Sequence, residues 1–324
     1  MITRAHTAQR RILRVATRSS ALALAQASAV IERLTPDVSC EIVPITTKGD
    51  VQRDRSLVSI GGDGVFVKEL MTALLEDRAD IAVHSAKDLP TVLPPELDAG
   101  VICEREDARD ALVSADGRYA DIAALPQGAR IGTSSLRRAA QVRALRPDVQ
   151  IAPLRGNVDT RIRRVQEGTL DAAILAMAGL RRLGLATSRL ASPIETALMV
   201  PAAGQGGLFI QQRADDAPVR DIIAQLEDPA SAFEILLERA FLRAAGGGCV
   251  APVGVHADVR GQSFHLTAVI AATDGTTVVR ERTAGGTQDA AEATRIVETM
   301  ASAMLAAGGR DIIDAARQRD DSTL

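Results

Sequence analysis

The chain has 324 residues, 46% of them hydrophobic and 24% charged, which is typical of a soluble globular protein with two or three domains. Its net charge of −3 points to no polyanionic partner for the whole molecule, and the 2% aromatic content disfavours base stacking on nucleic acid. No apolar run is long enough for a membrane span, and the first residues show no signal sequence. We therefore expect a cytoplasmic protein that binds neither nucleic acid nor membranes.

The first two-thirds of the sequence alternates short apolar runs with helical stretches, as in βα units around a largely parallel sheet. Residues 47–64, between the second predicted strand and the helix predicted over 65–78, form a polar, Gly-rich stretch that we interpret as a mobile loop. The predicted strands, most of them followed by a helix, are 12–16, 41–46, 79–84, 129–132, 149–154, 171–176 and 207–212.

The pattern changes after about residue 225. Asp228 and Pro229 are typical of a helix start, and the helix should end at the glycines before Cys249. Three alternating stretches, 253–259, 263–272 and 276–283, predict an antiparallel meander with turns at Arg260-Gly261 and Asp274-Gly275. A last helix is predicted over 288–306. The fold class is thus α/β, followed by a small C-terminal α+β domain with an antiparallel sheet.

Positive charge is concentrated in one segment. The chain has only three lysines, Lys48, Lys68 and Lys87, whereas the segment from Arg130 to Arg189 holds twelve arginines against four acids. Ligands bind beyond the carboxyl ends of parallel strands, and hydroxyls or cations follow five predicted strands. Each one alone is more often a helix cap or a solvated charge, but together they indicate a cleft for several carboxylates or phosphates. These residues are Thr17, Arg18, Ser19, Ser20, Ser85, Lys87, Thr133, Ser134, Ser135, Arg137, Arg138, Arg155, Arg161, Arg181 and Arg182.

Two residues differ from this basic set. Asp88 is an acid among cations, so it either has a chemical role of its own or forms a salt bridge to a neighbouring arginine. Cys249 follows three glycines, which leave room beside its sulfur, unlike a core thiol. His84 is expected to be packed rather than catalytic, and the four scattered histidines indicate no metal site.

Seven motifs, in this order, resemble the porphobilinogen deaminase family from about residue 12 to about residue 315: ATRSSALAL, HSAKDLP, GTSSLRR, LRGNVDTR, LAMAGLRRLGL, PAAGQG and GGGCVAPVG. The resemblance implies two lobes with mainly parallel sheets, similar to periplasmic binding proteins, and a third domain. It places domain 1 at 1–105 with 206–225, domain 2 at 106–205 and domain 3 at 226–324. It also implies a monomer.

The resemblance implies a chemistry as well. A dipyrromethane cofactor would be bonded to Cys249 through a thioether, and four porphobilinogens would be deaminated and joined head to tail into hydroxymethylbilane. Asp88 would take the catalytic role by stabilising the electron-poor azafulvene that forms when ammonia leaves, and no metal is implied. The residues implied to bind cofactor or substrate are Arg18, Ser20, Lys87, Thr133, Ser134, Ser135, Arg137, Arg138, Arg155, Arg161, Arg182 and Gln205, with Phe66 in a flap.

Some positions depart from the family pattern. Asp63 stands where the flap motif has lysine, which puts the electrostatic role of the flap in doubt, and Asp159 replaces a glycine. Two alternatives stay open. A non-catalytic anion-binding protein of the periplasmic type would share the lobes and the basic cleft. A thiol hydrolase would use Cys249 with a histidine base, of which His256 is the nearest in sequence.

Overall fold

The computed structural model describes residues 12–34, 38–47, 49, 64, 66–97, 100–187, 189–246, 248 and 251–321. Cys249, Asp63 and most of the predicted loop over 47–64 lie outside these residues, so the predictions made for them are not addressed by the fold. Within the described part of the chain, no helix is long and apolar enough to cross a membrane.

The first lobe is built on a five-stranded sheet. Its strands are β1 (Ile12–Arg18), β2 (Ser39–Ile45), β3 (Ile81–Ser85), β4 (Gly100–Ile102) and β10 (Leu208–Gln212), in the order β2-β1-β3-β10-β4. β1 is parallel to β2 and β3, whereas β10 is antiparallel to both of its neighbours. Helices α1 (Ala21–Leu34) and α2 (Lys68–Leu75) cover its two faces through separate aliphatic clusters.

The second lobe repeats this design. Its strands are β5 (Asp110–Val113), β6 (Arg130–Gly132), β7 (Gln150–Ala152), β8 (Ala172–Ala176) and β9 (Ala191–Ile194), in the order β7-β6-β8-β5-β9. Again the fourth strand of the order, β5, is antiparallel to both neighbours. Its helices are α3 (Leu136–Leu145), α4 (Val158–Gln166) and α5 (Met177–Arg182).

Two segments carry the chain between the lobes, and we call residues 103–109 and 195–207 the crossover segments. They hydrogen-bond to each other, with Glu106 N donating to Gly206 O at 3.3 Å. Gly206 has φ +93°, and a Cβ there would lie 2.2 Å from Glu106 O, so no other residue fits. Gly204, at φ +72°, likewise lets the second crossover segment pass over Ala86. The glycines of the PAAGQG motif therefore hold the two crossings close together.

The C-terminal domain joins helices to one antiparallel sheet. α6 (Ala217–Ile223) still packs on the first sheet, through Val219 and Ile223, and leads to α7 (Pro229–Ala244) of the C-terminal domain. The first turn of α7 is capped by the Asp228 carboxylate, which accepts from Ser231 N at 2.8 Å. The sheet order is β11 (Val253–Arg260), β12 (Ser263–Ala271), β13 (Val278–Gly286), packed on α7 and α8 (Ala290–Met304). α9 (Arg310–Asp321) follows a kink over Leu305–Gly309, where Gly308 has φ +105°.

The predicted fold class is confirmed: two α/β lobes precede a small α+β domain with an antiparallel meander. The predicted helix over 65–78 begins later, at Lys68, and β4, β5, β9, α6 and α9 were not predicted. Each lobe sheet and the meander is formed by its own stretch of chain, except that β10 joins the first sheet after the second lobe. The domain bounds given above stay a prediction. Packing is almost wholly aliphatic, as expected; Phe241 and Phe264 are the largest side chains buried completely among the described residues.

Candidate active site

Two adjoining cavities lie between the lobes, at the carboxyl ends of the parallel strands. The larger has a volume of about 330 Å³ and the smaller about 100 Å³. Both are lined by Lys87 and Asp88 from the 3₁₀ turn after β3, by Arg18 and Ser20 after β1, and by Gly179 of α5. Strand ends from both lobes therefore meet at one place, which is where open α/β sheets bind ligands.

Of the site residues that the family resemblance implies, ten line these cavities and four do not. The ten are Arg18, Ser20, Phe66, Lys87, Asp88, Ser134, Arg138, Arg155, Arg161 and Arg182. Those that line neither cavity are Thr133, Ser135, Arg137 and Gln205. Cys249 lies outside the described residues.

The hydroxyl groups at the strand ends are engaged locally. Ser20 accepts from Ala23 N at 3.3 Å at the start of α1, and Ser135 accepts from Arg138 N at 3.4 Å at the start of α3. Thr133 Oγ1 accepts from Ser135 N at 3.2 Å. These contacts are those of helix caps and turns, so they fix the loops on which the cations stand.

Ser134 joins two strand ends instead. Its Oγ donates to Leu154 O at 3.1 Å and accepts from Leu154 N at 3.0 Å, which ties the end of β6 to the residues after β7. Arg155 follows directly and lines the larger cavity. The position of this arginine thus depends on Ser134, twenty-one residues earlier.

Arg18 and Phe66 form the first-lobe wall. The Arg18 guanidinium carbon lies 4.1 Å from the centroid of the Phe66 ring, a cation–π contact. Both residues line both cavities. The ring therefore helps to hold the guanidinium at the cavity wall.

Asp88 is half-buried at the point where the two cavities adjoin. Among the described residues it makes no ion pair, so the salt bridge considered for it is not found there. Among the described residues it is the one acid in the linings of both cavities. Burial lowers the pKa of Lys87 and of Arg161, and the charge of Asp88 opposes this lowering. A carboxylate so placed is open to a ligand in either cavity.

His84 lines the smaller cavity but is buried, with Nε2 3.0 Å from Gln211 Oε1. Burial lowers its pKa to about 4, although the hydrogen bond to Gln211 opposes this. It is therefore neutral at physiological pH, in keeping with a packed histidine rather than a proton donor.

The arginines of the second lobe surround the larger cavity. Arg161 Nε donates to Gly156 O at 2.9 Å, and burial, followed by the charges of Arg138 and Arg155, lowers its pKa to about 10. In the smaller cavity, Arg182 donates to Gly206 O at 2.6 Å, and burial lowers its pKa as well. Cations that depress one another's pKa are crowded, and a ligand with several negative charges would relieve that repulsion.

Arg137 and Arg138 share one buried acid, Asp110, which was not predicted. Asp110 is fully buried; its Oδ2 lies 2.6 Å from Arg137 NH1 and its Oδ1 2.8 Å from Arg138 NH2. Burial alone would raise the pKa of Asp110, but the two guanidinium groups outweigh it and hold that pKa well below its ordinary range. Arg137 donates its hydrogen bonds to Asp110 and to Val200 O. These contacts favour a supporting role for Arg137 over ligand binding.

Charge decides what the cavities can hold. Against Asp88 and Asp159, the described lining residues contribute six cations: Arg18, Lys87, Arg138, Arg155, Arg161 and Arg182. Guanidinium groups bind carboxylates bidentately, so the donor set fits a ligand with several acetate and propionate groups, such as a dipyrromethane. Sequence reasoning found the cations because they follow strands; it missed Asp110 because nothing distinguishes an acid at the start of a short strand.

Burial makes the charge of Lys87 sensitive to pH. Burial, followed by the charge of Arg138, lowers the pKa of its ammonium group to about 8. The charged form of Lys87 binds carboxylates. For the reaction that the family resemblance implies, we therefore expect kcat/KM to fall as pH rises through about 8. In Lys87→Arg the charge persists, and the fall should move to higher pH. An alkaline limb in the pH profile of kcat/KM that is the same in both proteins would refute this assignment.

The comparisons with known proteins agree with this geometry. Residues 13–221 match the family described as porphobilinogen deaminase, dipyromethane cofactor binding domain, and residues 232–306 match porphobilinogen deaminase, C-terminal domain. A porphobilinogen deaminase from Syntrophobacter fumaroxidans is 43% identical over 307 residues, which is 94% of this chain and 97% of that protein.

The solved structures that the chain is similar to are more distant. The second substrate-binding domain of a putative amino acid ABC transporter from Streptococcus pneumoniae has a TM-score of 0.41 and 12% identity, over 73% of this chain and 95% of that one. The extracellular-binding protein ytmK from Bacillus subtilis has a TM-score of 0.39 and 12% identity, over 67% and 90%. Scores this low carry no weight for function. The two family matches and the 43% identical relative show that the chain belongs to the porphobilinogen deaminase family.

Proposed function

We propose that the cleft between the lobes holds a dipyrromethane cofactor and joins porphobilinogen units to it, four in all, with release of ammonia and then of hydroxymethylbilane. The observation that carries this proposal is that six cations and only two carboxylates of the described residues surround the two cavities, with Asp88 where the cavities adjoin. Family membership favours this enzyme over the non-catalytic anion-binding alternative.

The cations would hold the ligand by its acids. Arg138, Arg155 and Arg161 line only the larger cavity, and Arg182 lines only the smaller. Each pyrrole carries an acetate and a propionate, so successive units need successive cations, and both cavities supply them. When bound, the dipyrromethane supplies the pyrrole carbon to which the next unit is joined.

Asp88 would act on the pyrrole nitrogens. When ammonia leaves porphobilinogen, positive charge develops on the ring and its N–H becomes acidic. A fixed carboxylate that accepts a hydrogen bond from this N–H stabilises the positive charge and can take up the proton. Asp88 suits this role because it is half-buried, lies between the cavities and has no ion pair among the described residues.

Cys249 would carry the cofactor through a thioether, and the hydrolase alternative would instead leave it as a free thiol. His256, the base suggested for that alternative, lies with Nδ1 3.3 Å from Glu238 Oε1. We further propose that the protein acts as a cytoplasmic monomer, which the family resemblance supports.

Intact mass measured under denaturing conditions tests the proposal. We expect a mass excess equal to a dipyrromethane, located on the peptide that contains Cys249 and absent from Cys249→Ser. Protein purified without the excess should gain it on incubation with porphobilinogen. If Cys249 stays unmodified after that incubation and reacts with iodoacetamide as a free thiol, the proposed function is wrong.

A further inference from the structure

Gln205 connects the buried acid Asp110 to Lys87. Its Nε2 donates to Asp110 Oδ1 at 3.0 Å and to Ala108 O at 2.8 Å. Because both donors are used, the amide can have only one orientation, and Oε1 faces Lys87 Nζ at 3.4 Å and Arg138 NH2 at 3.5 Å.

Three parts of the fold meet in this contact. Lys87 belongs to the first lobe, Asp110 and Arg138 to the second, and Gln205 to a crossover segment. The Gln205 backbone is itself fixed, since its carbonyl accepts from Arg105 Nε at 2.9 Å. Gln205 and Asp110 are buried, and neither lines a cavity. They therefore influence a ligand only through the cations that they hold.

We propose that Asp110 is a positioning residue, which holds Arg138 against the wall of the larger cavity and, through Gln205, holds Lys87 at the junction of the two cavities. Arg138 supports this: Nε and NH2 both bond to Asp110 Oδ1, at 3.0 and 2.8 Å, and NH1 donates to Ile174 O at 3.0 Å. Without the acid, two adjacent guanidinium groups would repel each other in a buried site.

The charges around Lys87 predict the direction in which its pKa should change when Asp110 or Gln205 is replaced. Burial, Arg138 and Arg137 lower the pKa of Lys87, whereas Asp88 and Asp110 raise it. Removing the charge of Asp110 destabilises the ammonium form, so the pKa of Lys87 should fall below about 8. Removing the Gln205 acceptor should shift it in the same direction, because an acceptor stabilises the charged form.

The three lysines of the chain allow a direct measurement. After reductive methylation with ¹³C-formaldehyde, Lys48, Lys68 and Lys87 can be titrated by NMR, with Lys87 assigned through Lys87→Arg. We expect Lys87 to titrate lower by about half a pH unit or more in Asp110→Asn and in Gln205→Met. The matched control is Asp80→Asn. Asp80 is equally buried and paired with Arg14 at 2.9 Å, but it lines neither cavity, so Lys87 should titrate as in the unsubstituted protein.

Steady-state kinetics provide a second test of the proposal, and this test rests on the proposed function. Loss of a held cation should raise KM for porphobilinogen in Asp110→Asn roughly 10- to 100-fold, with a smaller change in kcat. Asp80→Asn should lower the melting temperature without changing KM.

The proposal would be overturned if the pKa of Lys87 were the same in Asp110→Asn, Gln205→Met and Asp80→Asn, because replacing an acid with a purely structural role would not change that pKa. Should Asp110→Asn not fold, Gln205→Met decides alone, since it leaves both arginine pairs of Asp110 in place. The NMR result does not depend on turnover. A protein that fails to convert porphobilinogen therefore refutes the proposed function separately.

Discussion

Replacing Asp88 by Asn should lower kcat by about 10²- to 10⁴-fold, the contribution of a positioned acid–base group. Asparagine has nearly the same shape and can still accept a hydrogen bond, but it cannot balance positive charge or take up a proton. Because binding depends on the surrounding cations, KM should change much less, and the cofactor should be in place or partly assembled. The measurement is kcat for porphobilinogen consumption, together with the intact mass of the variant.

Asp159→Asn is the matched comparison. Asp159 is a second carboxylate in the lining of the larger cavity, but it is exposed, at the start of α4, and does not line the smaller cavity. Its replacement should change kcat by much less than that of Asp88. A wild-type rate in Asp88→Asn would show that the catalytic assignment is wrong.

The largest effect on stability is expected from Glu238→Gln, which should lower the free energy of unfolding by about 3–5 kcal/mol. Glu238 of α7 is fully buried and binds Arg105 NH1 and NH2 at 2.8 and 3.0 Å. It also accepts from Gly204 N at 2.7 Å and from Ala257 N at 2.8 Å. The substitution leaves the Arg105 charge buried without its main partner.

Urea denaturation of Glu238→Gln and Glu234→Gln measures this effect. Glu234 is the control because it is more exposed and lies farther from Arg105 NH1, at 3.3 Å, so its replacement should cost less. Burial would raise the pKa of Glu238, but Arg105, with His256, holds it below the ordinary 4.5. The stabilisation is thus complete above about pH 4.5 and is lost as pH falls through the lower, folded-state pKa. Equal losses in both variants, or a difference between them that grows in acid, would contradict this account.

Those stretches whose periodicity is long and regular could be predicted from the sequence. The Asp228-Pro229 signal located the start of α7, and the three alternating stretches located β11, β12 and β13. β4, β5 and β9 have three or four residues each and owe their place to strands distant in the chain, so no local pattern marks them. The close approach made by the glycines of the PAAGQG motif could not be predicted, because which backbone they contact is a tertiary property.

The candidate site divides in the same way. Cations that follow predicted strands could be placed in a cleft because parallel strands end at one edge of a sheet. The sequence could not distinguish cations that face the cavities, such as Arg138, from those that mainly face a buried acid, such as Arg137. That distinction depends on Asp110, whose distance from both arginines is fixed only when β5 pairs with β8.

The return of the chain to the first sheet through β10 has a consequence during synthesis. β10 lies between β3 and β4, yet it emerges from the ribosome only after residues 103–207 have been made. All five strands of the second sheet are available by residue 194, whereas the first sheet must wait with an unpaired edge on β3. The second lobe can thus complete its sheet first, although it comes later in the chain, and the nascent first lobe is the part most in need of protection from aggregation.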